Sequence, residues 1–351
     1  MTEHIPKYLK VKNKIKDDIK DGKIVDKLPG ERALAKEFGV AYMTVRKALM
    51  ELQEEGILHR TTTKGTFVSN GKMSPKVTKN IGFFLDDKID EGISSPYYSL
   101  IFKALEKAAK KAGYNIMIYS DSDEMNPIND QKKIDGSIIC CFPRIEYKIQ
   151  ELKKFMPIVL LDNIASDKSI ASVTIDNFNS VFESTKYLAS QGHERIGFIS
   201  GLMNSDICKE RLHGYLSALN NENLHVDKSL VYKGDYSYGS GEKAAMYFLS
   251  LKNPPTAILC ANDSMAIGAM KVIQELGLSI PKDISVVGFD DIEVASRVFP
   301  TLTTNAAPVE DIAQKSLKLL VSAINGHDID YQHIILPAKL ILRDSCSTIK
   351  K

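Results

Sequence analysis

At five places the sequence sets carboxylates or amides directly after a short apolar run: Asp86-Asp87, Asp162-Asn163, Asp176-Asn177, Asn262-Asp263 and Asp290-Asp291. Carboxylates accept hydrogen bonds and amides both donate and accept, so such side chains gathered together would hold a small hydroxylated molecule. Signals for bond-making chemistry are thin. The chain has no Walker A pattern and no Gly-x-Ser-x-Gly elbow. Gly239-Ser240-Gly241 with Ala244 imitates a dinucleotide fingerprint, but it follows the polar stretch GDYSY rather than a strand end, so no cofactor is expected. Cys140-Cys141 has no Cys-x-x-Cys or His-x-x-x-His partner, and the seven histidines are dispersed. No metal centre is therefore expected, and buried packing is the default for these thiols. No catalytic residue and no enzymatic activity are expected.

The elements that would position these residues follow from the hydropathy pattern. Beyond about residue 80, apolar stretches such as IGFFLDD, GSIICCF, PIVLLDN, RIGFISG, TAILCAND and ISVVGFDD alternate with amphipathic ones, with helices expected from about Tyr97, Phe178, Cys208, Lys243 and Met265. Strands that are apolar throughout, each followed by a helix, indicate parallel sheets covered on both faces. Ligands of such sheets bind at the carboxyl ends of the strands, where the polar pairs fall. Asp263 and Asp291 are read as caps of the helices that follow them. The region of about 270 residues exceeds one ordinary core and should divide into two lobes. Ahead of it, Tyr8, Val11, Ile15 and Ile19 mark one helix face, Ala33 to Phe38 and Thr44 to Glu55 flank Gly39, and two short apolar runs end the segment. That order predicts a winged helix-turn-helix over 1–70, a linker over 71–79 and a two-lobed α/β domain over 80–351.

Charge separates the same parts. Residues 1–80 hold 17 Lys and Arg against 10 Asp and Glu, and the rest hold 29 against 34. A basic head on a mildly acidic body suits a protein whose head meets a polyanion. A solvated lysine-rich helix bearing Lys10, Lys12, Lys14, Lys16 and Lys20 would give the same balance. The 44% hydrophobic content argues against disorder, and no apolar run reaches the roughly 20 residues of a membrane span. The charged start lacks a secretory h-region and the five cysteines are scattered, which predicts a cytoplasmic protein with reduced thiols.

The segment from Leu28 to Val68 resembles the DNA-binding domain of the GntR family, through Pro29, Glu31-Arg32, Leu34-Ala35, Phe38-Gly39-Val40, Thr44-Val45-Arg46, Ala48-Leu49, Glu55-Gly56 and Gly65-Thr66-Phe67-Val68. The resemblance implies that double-stranded operator DNA meets Arg32, Tyr42, Thr44, Arg46, Lys47, Lys64 and Gly65, with the last two at the wing tip. Ala41-Tyr42-Met43 stands where the family usually has Ser-Arg-Thr, so the DNA sequence read is expected to be atypical.

The body resembles the effector domain of LacI-family repressors and the periplasmic sugar-binding proteins, through GHERIGFISG, RLHGYLSAL, AILCANDSMAIGAM, ISVVGFDD and PTLTT. Head and body together resemble bacterial arabinose repressors. The resemblance implies that Tyr98, Asp162, Arg211, Tyr236, Asn262 and Asp290 hold an effector between the lobes: a fork, an amide, carboxylates and aromatic faces suited to a polyol. It further implies a homodimeric repressor of carbohydrate-utilisation genes, released from DNA by a small sugar and without a membrane partner. A purine, a phosphosugar or another metabolite as effector, and a sugar-modifying enzyme with a DNA-binding appendage, are the alternatives.

Overall fold

The computed structural model describes residues 6–61, 65–69, 78–85, 92–119, 133–140, 146–164, 167 and 169–349. The head consists of α1 (Lys7–Lys20), α2 (Glu31–Glu37), α3 (Tyr42–Glu54) and the antiparallel pair β1 (Leu58–Thr61) and β2 (Gly65–Val68). Val11 and Ile15 from α1 meet Leu34, Val45, Leu49, Leu52 and Leu58 in one core. Gly39, at φ +63, takes the left-handed turn between α2 and α3 that a side chain would oppose. The lysines of α1 divide between two roles. Lys12 is largely buried and pairs with Glu51 at 2.6 Å and Glu55 at 2.7 Å, while Lys16 reaches Glu55 at 2.5 Å. These two clamp α1 to α3, so part of the head's positive charge is neutralised internally rather than offered to a polyanion.

The first lobe's sheet has the order β13-β7-β6-β5-β3-β4, from β3 (Asn80–Leu85), β4 (Asn115–Tyr119), β5 (Gly136–Cys140), β6 (Ile158–Leu161), β7 (Ala171–Ile175) and β13 (His333–Leu336). Every neighbouring pair is parallel. The period of two sorts its residues between two cores: Ile138, Val159 and Leu161 face one side, and Ile139, Ile158 and Leu160 the other. Helix α4 (Pro96–Lys111) lies over the first face, and α5 (Glu146–Lys153) supplies Ile149 and Leu152 to the second.

The second lobe repeats the plan with the order β14-β12-β11-β10-β8-β9, from β8 (Ile196–Ser200), β9 (Val231–Lys233), β10 (Ala257–Cys260), β11 (Ser285–Asp290), β12 (Thr303–Ala306) and β14 (Lys339–Ile341). Only β14 runs antiparallel. Its helices are α6 (Asn177–Ser190), α7 (Asp206–Asn221), α8 (Tyr238–Ser250) and α9 (Asp263–Glu275). Helix α10 (Val309–Ile324) follows β12 but packs on the first lobe, against its sheet. Among the described residues the chain thus crosses between lobes three times: after β7, after β12 and between β13 and β14. The Asp176 amide donates to the Leu336 carbonyl at 2.8 Å, tying the first crossing to the third.

Several expectations need correction. Helix α8 begins at Tyr238, five residues before the expected Lys243, because the Ser237 hydroxyl caps it by accepting from the Ser240 amide at 3.1 Å. Gly239-Ser240-Gly241 is its first turn, and a Cβ on Gly241 would stand 2.0 Å from the Met265 carbonyl oxygen. That glycine allows α8 and α9 to touch. Asp263 is not a cap, since Asn262 caps α9 by accepting from the Met265 amide at 3.0 Å. Fully buried Asp263 instead accepts from the Thr304 hydroxyl at 2.6 Å and the Ile292 amide at 2.9 Å. Asp291 likewise caps nothing and pairs with Arg343 at 2.7 Å. Asp86-Asp87, Cys141 and most of the linker lie outside the described residues.

Candidate effector cleft and nucleic-acid interface

Each residue expected to hold an effector lies at or beyond the carboxyl end of a strand. Tyr97 and Tyr98 stand in the first turn of α4 after β3, Asp162 directly after β6, Arg211 on α7 after β8, Tyr236 after β9, Asn262 after β10, and Asp290 ends β11. Both lobes therefore aim the carboxyl ends of their strands at one cleft, the place where doubly wound sheets bind ligands. Tyr98 lies within electrostatic reach of Asp162, Tyr236 and Asp290, which brings together residues of both lobes.

Three of these residues hold unusual backbone: Asp162 at φ +53, Tyr236 at +72 and Asp290 at +113. Left-handed non-glycine residues persist only where neighbours over-determine them. Here the Asp162 amide donates to Val173 at 3.0 Å, the Asp290 carbonyl accepts from Ala307 at 3.2 Å, and the Tyr236 carbonyl accepts from the Asn262 side chain at 2.9 Å. Asn262 therefore uses both ends of its amide on the protein, and one of its two amide hydrogens remains for a ligand. The Tyr236 ring lies on Gly201, where a Cβ would stand 1.9 Å from its Cζ.

The guanidinium of Arg211 is buried and fixed. Its Nε donates to Asn177 Oδ1 at 2.8 Å, Nη1 donates to the Ala261 carbonyl, and the group lies 3.6 Å above the Phe289 ring centroid. Nη2 has no partner among the described residues, which leaves one edge of the fork for a ligand. Tyr97 donates to Asp162 Oδ2 at 2.6 Å, so it joins the site beside Tyr98, with the two rings 5.2 Å apart.

Burial sets the charge state. It raises Asp162 to about 6, against the hydrogen bond from Tyr97 and the field of Arg211. Burial also pushes Asp290 well above the usual carboxylate range, with Asp263 and Asp162 adding to it and Arg211 opposing. Tyr97, Tyr98 and Tyr236 are raised by burial as well, so their phenols remain protonated donors. The described cleft thus offers one cation, two carboxyl groups and three phenols. Its chemistry suits a ligand whose hydroxyls both donate and accept.

A recess of about 750 Å³ lies beside this cleft, between α4 and α10, and reaches it at Asp290 and Asp291. Its rim is exposed lysine, including Lys103, Lys107, Lys111 and Lys318, and the convergent buried polar groups are in the cleft instead.

Asn177, Gly201 and Phe289 escaped the sequence reading as site residues. Their signal was weak: Asn177 belongs to a polar strand end, Gly201 closes the run GHERIGFISG, and Phe289 precedes Asp290.

On the head, α3 turns Met43, Arg46, Lys47 and Met50 outward. Arg32 and Arg46 are exposed and form no ion pair with the described residues, so both forks are free for phosphate or base edges. The other residues expected to meet DNA are partly engaged. The Tyr42 phenol faces the Glu31 carboxylate, which raises its pKa, and Glu31 also holds Arg60 at 3.0 Å. The Lys47 ammonium sits 3.9 Å over the Tyr8 ring, and Thr44 is half-buried. Gly65, at φ +113, begins β2, and Lys64 lies outside the described residues. If Arg46 grips a guanine with both arms, Arg46→Ala costs about 1 to 3 kcal/mol of operator affinity and relaxes specificity at one base pair. A binding-site selection with both proteins measures this, and unchanged selectivity would remove Arg46 from readout.

A GntR-type winged head joined to a two-lobed binding-protein-like body defines a DNA-binding transcription regulator, and the chain belongs to the LacI/GntR-type regulators. Residues 7–68 match the bacterial regulatory proteins of the gntR family, and residues 185–346 the periplasmic binding protein-like domain. The chain is 33% identical over 261 residues to the HTH-type transcriptional repressor CytR of Escherichia coli K12, covering 72% of this chain and 76% of that protein. It is 31% identical over 311 residues to catabolite control protein A of Priestia megaterium, covering 86% and 90%. The solved complex of the transcriptional regulator CelR with cellobiose shares the fold at a TM-score of 0.70 and 22% identity, covering 91% of this chain and all of that one (100%). No helix among the described residues is long and apolar enough to cross a membrane.

Proposed function

We propose that this regulator is a cytoplasmic, homodimeric repressor of carbohydrate-utilisation genes that leaves its operator when a neutral polyol, most simply a sugar, binds between the lobes. One observation carries the reading: the half-free fork of Arg211, the carboxyls of Asp162 and Asp290, and phenols from both lobes converge on one cleft. Vicinal hydroxyls accept from the fork and donate to the carboxyls. A phosphate or carboxylate would face two carboxyls with one cation among the described residues. Asn262 serves chiefly to hold Tyr236 in place. The wing and α3 meet the DNA, and the body brings two heads to a palindromic site. Exposed Phe299, Leu276 and Val294 give the second lobe an apolar surface suited to self-association. The chain acts by binding and catalyses no reaction.

A ligand touching both lobes shifts the equilibrium between open and closed forms only by its differential affinity for them. Closure acts at the three crossings and changes the spacing of the heads. A melting-temperature screen over pentoses, hexoses, disaccharides, nucleosides and phosphosugars tests the ligand class. A neutral sugar at a hundredfold excess over its Kd stabilises the protein by about 2.7 kcal/mol, a rise of several degrees. A response confined to nucleosides or to phosphorylated ligands would overturn the polyol assignment.

A further inference from the structure

A winged head presents the first turn of its recognition helix to the base edges. On α3 that outward face begins with Met43, followed by Arg46, Lys47 and Met50 at spacings of i+3, i+4 and i+7. Met43 is 65% exposed and Met50 52%, while Val45, Leu49 and Leu52 fill the core from the opposite side of the helix. Neither methionine is needed to build the head. The polar neighbours are partly committed, Tyr42 to Glu31 and Lys47 to the Tyr8 ring, which leaves Met43 and Arg46 as the free groups nearest the start of the helix.

We propose that Met43 reads a thymine C5-methyl group in the operator, next to the base pair read by Arg46. The inference rests on the head's DNA binding and adds the base that it selects. In the major groove every base pair presents donors and acceptors, and only thymine adds a methyl group. A thioether sulfur donates nothing and accepts only weakly, so covering the amino and carbonyl edges would strip their water for little in return. Side chains at i and i+3 stand about 5 to 6 Å apart. Base pairs stack about 3.4 Å apart. The thymine therefore lies one or two base pairs from the guanine of Arg46.

The full-length protein is used to enrich duplexes from a randomised pool, and the selected site is then remade with uracil for single thymines, a change that removes only the methyl group. The expected half-site carries a thymine one or two base pairs from the guanine whose selection is lost in Arg46→Ala. Uracil at that thymine weakens wild-type binding about fourfold per half-site, equivalent to about 0.8 kcal/mol. Met43→Ala keeps its melting temperature and binds thymine and uracil sites equally. A selected half-site with no thymine in that window, or a Met43→Ala protein that loses the same factor as wild type, would overturn the proposal. Enrichment of no duplex at all would instead remove the DNA-binding reading beneath it.

Discussion

Arg211→Ala loses at least a hundredfold in effector affinity, about 3 kcal/mol or more, while operator affinity is retained. The substitution removes more than one hydrogen bond. Arg211 is the only cation among the described groups facing Asp162 and Asp290, and its field lowers both carboxyls. Without it a ligand is closed in against buried carboxyls that have no compensating charge. The unliganded body is also destabilised, by about 1 to 3 kcal/mol, because Asn177 Oδ1 and the Ala261 carbonyl lose their donors. No residue of the head is touched, so the variant remains a repressor that does not respond. Calorimetry with the sugar found by the melting screen measures the first effect, and urea unfolding the second. Unchanged sugar affinity would move the pocket elsewhere.

The buried carboxyls of the cleft cost stability as pH rises from about 4 to about 7, and Asp162→Asn removes part of that slope. Asp162 and Asp263 sit at about 6 and about 7 in the folded protein, and Asp290 is also raised. An unfolded Asp titrates near 3.9. Across that window the native state binds more protons than the unfolded state, so each step up in pH favours unfolding. For Asp162, at about 6 when folded, both states are protonated below about pH 4 and the penalty is absent, and above about pH 7 it is fully expressed. A shift of about two pH units at Asp162 corresponds to about 3 kcal/mol. Urea unfolding of wild type and Asp162→Asn between pH 4.5 and 7.5 should show free energies that diverge by about 2 to 3 kcal/mol, the variant gaining as pH rises. Parallel profiles would mean that the Asp162 carboxyl is far better solvated than its burial implies.

Much of this arrangement was legible in the residues, for identifiable reasons. Fully buried parallel strands such as β10 (Ala257–Cys260) and β11 (Ser285–Asp290) must be apolar along their length, and the turns at their carboxyl ends must be polar. The polar pairs therefore announced the cleft. The identity of α10 was not legible, because the chain pattern around Val309–Ile324 says nothing about which lobe a helix packs on after the chain has crossed. Asp263 looked like a cap because an Asp opening a helix usually is one. Burial of Thr304 and of the Ile292 amide behind it gave that carboxylate other donors. Asn177 was missed for a related reason: its contact with Arg211 joins the start of α6 to α7 across 34 residues of sequence, and no local spacing encodes it.

The central claim is that ligand held by Arg211 between the lobes sets the DNA affinity of the head. It is tested most directly by titrating the protein–operator complex with the sugar that raises the melting temperature, in wild type and Arg211→Ala side by side. Wild type should leave the operator at sugar concentrations matching its calorimetric Kd, while Arg211→Ala stays bound at concentrations a hundredfold higher. Release of both proteins at the same concentration, or a wild-type complex indifferent to a sugar that demonstrably binds, would contradict the account.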